Sequence, residues 1–183
     1  MTDPTDGGRL MDVWTAIRTK RMVRAFEPRP LAPEHLERIV DAGRHAGSSK
    51  NQQVWAFIVV EERATLVRLS EVGPYAGHVA GAAAGIALVT LDPTKPGASM
   101  SLAWDLGLAA ENMLLAAWEL GIGGCPATVY DQSIAREALG FPDDRWCGYV
   151  LSFGYPADPG DLTRPPRAGG RKSLDEVTRR ERW

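Results

Sequence analysis

The chain has 183 residues, 44% of them hydrophobic and 24% charged. That is the length of one domain with enough apolar side chain for a packed core, and it excludes an intrinsically disordered chain. The formal charge of −2, from 21 Lys and Arg against 23 Asp and Glu, gives no overall attraction for nucleic acid.

The first ten residues are polar and glycine-containing, carry no signal-peptide core, and are expected to be a flexible N-terminus. Asp12 is placed to cap a helix that carries Val13, Trp14 and Ile17 on one side and ends near Met22. Pro28, Pro30 and Pro33 then punctuate the chain, and Pro33 suits the first turn of a second helix with Leu36, Ile39, Val40 and Gly43 on one stripe. Val54 to Val60 reads as a strand buried on both faces, Ala64 to Val72 as a short helix, and Gly85 to Leu91 as another buried strand. Ser99 to Leu120 carries an apolar row of Leu102, Leu106, Ala109, Met113, Ala116 and Leu120, widened by Trp104, Leu108, Leu115 and Trp118. A helix apolar on most sides belongs at the centre of a protein or at a subunit interface, and only Asp105, Glu111, Asn112 and Glu119 interrupt this one. Gly121 to Gly124 ends it, Asp131 caps a further helix stopped by Gly140, and Cys147 to Phe153 forms a last strand closed by Gly154-Tyr155-Pro156. Residues 156–171 turn rich in proline, glycine and arginine and hold little core. Helices alternating with a few strands predict an α+β or α/β domain, a four- or five-stranded sheet wrapped by helices.

Two clusters carry candidate chemistry. Lys20, Arg21 and Arg24 crowd the end of the first helix, and Arg164, Arg167, Arg171 and Lys172 crowd the tail. Arginine forks match phosphate oxygens, but cations at a helix C-terminus also relieve its dipole, and the sequence divides evenly between the two roles. Ser48 to Gln53 is an amide-rich turn entering a strand; Asn51 and Gln53 can donate to and accept from a flat heterocycle, or simply form a turn. Other machinery is missing from the pattern. His35, His45 and His78 lack zinc-like spacing, Cys125 and Cys147 form no CxxC, and neither a GxSxG elbow nor a phosphate-binding glycine fingerprint occurs. Two cysteines suit a reducing, cytoplasmic compartment, and the longest apolar stretch, near Val79 to Leu91, is too short for a membrane span.

These segments occur in an order that resembles the nitroreductase family of FMN-dependent NAD(P)H oxidoreductases. Ile17 to Phe26 is similar to its RRSxRxF opening, Ala46 to Ile58 to APSxxNxQPWxFI, and Asp105 to Pro126 to its central helix and GLG turn. Gly148 to Pro156 resembles the strand ending in GYP, and Arg171 to Val177 the closing R-x-P-L-x-E-V element. The resemblance implies a single domain over 1–183 with a mostly antiparallel four- to five-stranded sheet wrapped by helices. It also implies an obligate-type homodimer with FMN at the interface, and a C-terminal extension, 157–183, packed on the partner.

By position, Lys20, Arg21, Met22 and Arg24 then fall on the motif that grips the FMN phosphate and ring edge, and Ser49, Asn51 and Gln53 on the turn that reads the isoalloxazine. Pro126, Ala127 and Thr128 fall on a loop over one flavin face, and Arg171 with Gly169 on the element closing over the phosphate. The implied reaction is ping-pong: NADH or NADPH gives hydride to flavin N5, and an electron-poor acceptor such as a nitroaromatic or quinone takes it. No side chain acts as nucleophile, and Arg24 stabilises charge on the reduced ring. Rival implications are a specialised enzyme of the same fold (dehydrogenase, oxidase, dehalogenase or flavin-degrading), a flavin-holding protein without turnover, and a flavin-free interaction module. The departures are Lys20 for arginine, Met22 for serine, Gly47 and Val54 for prolines, and Ser173 for proline.

Overall fold

The computed structural model describes residues 11–165 and 169–183; the expected flexible N-terminus, 1–10, and Arg167 lie outside the described residues. The helices are α1 (Val13–Thr19), α2 (Pro33–Arg44), α3 (Arg63–Leu69), α4 (Ser101–Glu119), α5 (Gln132–Leu139) and α6 (Leu174–Val177). The strands are β1 (Ala56–Val60), β2 (Ala84–Leu91), β3 (Gly123–Thr128) and β4 (Arg145–Gly154), joined in one sheet of order β1-β2-β4-β3 with every pairing antiparallel.

The sheet separates two cores because strand side chains alternate between faces. Ile86 and Leu88 of β2, with Leu151 and Phe153 of β4, pack against Ile39 of α2 and Leu106 and Met113 of α4. Ala87, Val89 and Val150 face the other way, against Leu66 and Leu69 of α3 and Ala135 of α5. α2 and α4 approach so closely that a Cβ on Gly43 would fall 2.1 Å from the Met113 methyl. This explains a glycine inside the stripe of α2.

Local chemistry sets the boundaries. The Asp12 carboxylate accepts from the Thr15 N–H at 3.0 Å and caps α1, while the expected continuation to Met22 stops at Thr19. Pro33 opens α2, and Asp131 accepts from Ser133 and Ile134 to open α5, which Gly140 ends at φ 68°. One expectation fails: β1 is an edge strand, begins at Ala56 and buries only Val60. Its apolar run reflects a half-covered edge. The strand buried along nearly its whole length is β2, which lies between β1 and β4.

Candidate functional site

Glycines position the basic segment. After α1 the chain runs extended beside β3; the Val23 N–H donates to Gly124 O at 3.1 Å, Met22 bridges Gly124 in parallel, and Phe26 bridges Pro156. A Cβ on Gly123 would lie 2.5 Å from Val23 Cβ, and one on Gly154 would lie 2.9 Å from the Phe26 ring. These glycines read as turn formers in the sequence, yet of Gly121, Gly123, Gly124 and Gly154 only Gly121 has a positive φ, 71°. Gly123 and Gly154 are needed because the side chains of Val23 and Phe26, on the segment running beside β3, lie directly over them.

This packing brings Lys20, Arg21, Met22 and Arg24 to one cavity of about 370 Å³, together with Arg164 and Arg171. Asp161 is the only acid among its described lining residues. The cations are not equivalent. Lys20 is tied to Glu111 of α4 at 2.9 Å, and Arg164 to Asp158 and Asp161 at 2.8 and 3.0 Å. Arg21 donates from one terminal nitrogen to the carbonyls of Arg18, Thr19 and Lys20, and so closes the C-terminus of α1. Its Nε is buried and has no hydrogen-bond partner among the described residues. Among the described residues Arg24 and Arg171 are in no ion pair. Of the two roles that the sequence left open, the helix end is served by Arg21, while Arg24 and Arg171 leave charge uncommitted at the cavity. Gly169 supplies a left-handed turn at φ 72°, and its neighbour Gly170 lines the cavity. Ser173, where the family pattern has proline, caps α6 in a reciprocal capping box with Glu176.

The amide-rich turn lies elsewhere. Lys50, Asn51 and Gln53 have φ of 51°, 55° and 49°. This left-handed region costs a non-glycine residue roughly 1–2 kcal/mol, least for asparagine. The Gln53 amide donates to Asn51 Oδ1 at 2.9 Å, the Gln53 N–H to Ser48 Oγ at 3.1 Å, and the Ser49 N–H to Asp105 Oδ2 at 3.1 Å. Asn51 and Gln53 remain exposed. None of Ser49, Asn51 and Gln53 lines the basic cavity; Gln53 instead borders a cavity of about 520 Å³ with Trp55, Phe141 and Arg145. Within one chain Gln53 and the basic segment line different cavities.

Pro126, Ala127 and Thr128 are not in a loop. They form the end of β3, an edge strand on which a proline without an N–H is tolerated. Ala127 is buried in the core and Thr128 is exposed. The polar interruptions of α4 are the connectors that sequence reasoning missed. Asp105 holds Ser49, Glu111 holds Lys20, the Asn112 amide donates to Ala42 O at 3.2 Å, and Glu119 pairs with Arg38 at 2.6 Å.

His78 is a further polar group near Arg24. Its Nδ1 lies 2.8 Å from Ser152 Oγ, whose hydroxyl donates to Cys125 O at 3.2 Å. Nδ1 therefore carries the hydrogen, and Nε2 is left as a buried acceptor without a partner among the described residues. Burial, and then the charge of Arg24, push the His78 pKa down. Burial raises the Cys125 thiol against the opposing pull of Arg24 and Lys20. Nothing in the local sequence marks His78, because its partners come from β4 and from the segment beside β3. Among the described residues no group of three His, Cys, Asp or Glu is gathered for a metal ion, and no helix is long and apolar enough to cross a membrane.

The nitroreductase family model matches residues 17–73 and 71–155. A protein of Archaeoglobus fulgidus with the provisional name NADH dehydrogenase/NAD(P)H nitroreductase is 35% identical over 173 residues, covering 91% of this chain and 96% of its own. A crystal structure from Parabacteroides distasonis with the same provisional name superposes with a TM-score of 0.80 at 27% identity, covering 93% of this chain and 98% of that one. The FMN-dependent nitroreductase of Clostridium difficile superposes at 0.70 with 26% identity over 78% and 87%. With the family pattern matched across both motifs and the sheet shared with solved members, the chain belongs to the nitroreductase family.

Proposed function

We propose that this protein is an FMN-dependent NAD(P)H oxidoreductase that reduces an electron-poor acceptor, with the FMN phosphate held in the basic cavity. The observation that carries the proposal is that cavity: Arg24 and Arg171 line it without ion pairs among the described residues, with Arg21 and Lys20 beside them. A phosphate supplies the missing negative charge. The names of relatives, an NADPH-flavin oxidoreductase of Vibrio harveyi and the FMN-dependent nitroreductase among the solved structures, support flavin and nicotinamide as its reactants.

Bound FMN supplies two-electron transfer between the nicotinamide and the acceptor, a nitroaromatic or quinone. The chain supplies binding and electrostatics. Arg24 stabilises negative charge at the ring edge, and Lys20, fixed by Glu111, adds a second cation without moving. Asn51 and Gln53 present amide groups for the ring edges. Met22 stands at the cavity in place of a hydroxyl, so recognition there depends on charge rather than on a serine contact.

A homodimer brings the separated motifs to one flavin, with the extension 157–183 of this single domain packed on the second copy. The α4 face that would meet the partner is uncovered, with Trp104 70% exposed, and the tail ends in a fully exposed Trp183. Patches of this kind mark protein contacts. The two free, buried cysteines support a reducing, cytoplasmic compartment. The test is visible absorbance of the purified protein, followed by NADH or NADPH without oxygen. Bleaching of a yellow protein supports the proposal; a colourless protein that takes up no added FMN refutes it.

A further inference from the structure

Asp105 is 4% exposed on a helix whose other buried residues are all apolar. A carboxylate in such a place needs a partner, and among the described residues it has no cation. Its one hydrogen bond there comes from the Ser49 N–H, 56 residues away in the chain. Ser49 is also the residue from which the left-handed turn hangs: Gln52 N–H donates to Ser49 O at 3.1 Å, and Asn51 and Gln53 return to Ser48. A conformation disfavoured at Lys50, Asn51 and Gln53 persists only if something outside the turn fixes it. Six residues further along the same rigid helix, about 9 Å at 1.5 Å per residue, Glu111 fixes Lys20.

We propose that Asp105 is a positioning residue for cofactor recognition: by anchoring Ser49 to α4, it holds Asn51 and Gln53 in the strained shape that meets the flavin. The role in recognition rests on the FMN reading above; the anchor itself does not. α4 is then a ruler, with Asp105 setting the amide turn and Glu111 setting the basic segment. The buried carboxylate contributes to affinity without touching the ligand.

The experiment compares Asp105→Leu, which removes the acceptor, with Asp105→Asn, which keeps an oxygen. Ser49→Pro breaks the same contact from the other side without disturbing the core. Ser48 is already extended (φ −137°, ψ 152°), as a residue before proline should be, and Ser49→Ala is its control. In each flavin-free protein, hydrogen exchange over residues 48–53 and the thermal midpoint are recorded. FMN affinity is then titrated by quenching of flavin fluorescence. The expected result is faster exchange of the turn and at least a tenfold rise in the FMN Kd for Asp105→Leu and Ser49→Pro, with Asp105→Asn within threefold of the wild type and the turn of Ser49→Ala, which keeps the N–H, exchanging as slowly as that of the wild type. Lys50→Gly in the Asp105→Leu background, by relieving the left-handed strain, should recover part of the affinity.

An unchanged Kd after the turn has loosened overturns the positioning role. An unchanged exchange rate overturns the anchor. A general loss of affinity that follows the thermal midpoint in all four variants also overturns it, since a merely structural role predicts no rescue by Asp105→Asn. A wild type with a protected turn that takes up no FMN refutes the flavin reading and the recognition role together, leaving only the anchor.

Discussion

Gly123→Ala tests the claim that the site is built by close approach. The new Cβ would sit 2.5 Å from Val23 Cβ and 2.7 and 2.8 Å from its two methyls. Ordinary carbon contacts begin near 3.5 Å, so the segments must separate by roughly 1 Å. Val23 is 1% exposed and β-branched, so it has no rotamer to escape into. The retreat stretches the 3.1 Å bond from Val23 N–H to Gly124 O beyond hydrogen-bonding range. Overpacking costs about 1–3 kcal/mol and the lost bond about 0.5–1.5 kcal/mol, together roughly 2–4 kcal/mol. For a chain of this size that lowers the midpoint of thermal unfolding by about 5–15 °C. It also carries Lys20 to Arg24 away from the cavity, so FMN affinity should fall with stability. Urea unfolding at fixed protein concentration and fluorescence titration with FMN measure the two effects. Gly77→Ala, where a Cβ meets nothing within 4 Å, is the control. A Gly123→Ala protein as stable as the control, with unchanged FMN affinity, would refute the close-approach argument.

Arg24→Ala removes an uncommitted cation from the cavity; at about 1.5–3 kcal/mol for a charge-assisted bond, the FMN Kd should rise roughly 10- to 150-fold, and flavin reduction should slow in stopped-flow traces. His78 has a folded-state pKa below its ordinary 6.5, so the unfolded chain binds the extra proton first. Its contribution to stability is complete above pH 6.5 and is lost as pH falls through that value towards the depressed folded pKa; urea midpoints from pH 7.5 to 5 should show this, and His78→Asn, which keeps the donor to Ser152, should flatten it. Cys147 is buried with its thiol pushed up to about 12, and the Cys125 thiol is raised as well, so a thiol reagent at pH 8 should label neither in the native protein and both in urea. The proposed dimer predicts that Trp104→Glu, on the uncovered face of α4, elutes as a monomer in size-exclusion chromatography where the wild type elutes as a dimer, with loss of bound flavin.

Local pattern was enough to determine most elements, but not β3, whose residues read as a helix-ending turn and a loop. Asp12, Pro33, Asp131 and Gly140 set helix ends through contacts within a few residues, so their meaning is legible in one dimension. The order of the basic cluster, the amide turn and the late GYP strand likewise identified the family, and with it FMN and the candidate site residues. Partnership was decided only by the tertiary structure. Whether Arg21 serves a phosphate or a helix end depends on where the carbonyls of residues 18–20 point, and whether Gly123 is a turn or a bed for Val23 depends on a segment a hundred residues away. Val54 to Val60 has the composition of a central strand but lies at the edge, because composition records apolarity and not which neighbours cover it. Asp105, Glu111, Asn112 and Glu119 look like flaws in an apolar helix until the fold brings Ser49, Lys20, Ala42 and Arg38 against them. Sequence periodicity shows which face is buried, whereas a hydrogen bond needs two groups within about 3 Å, a condition that only the folded chain satisfies.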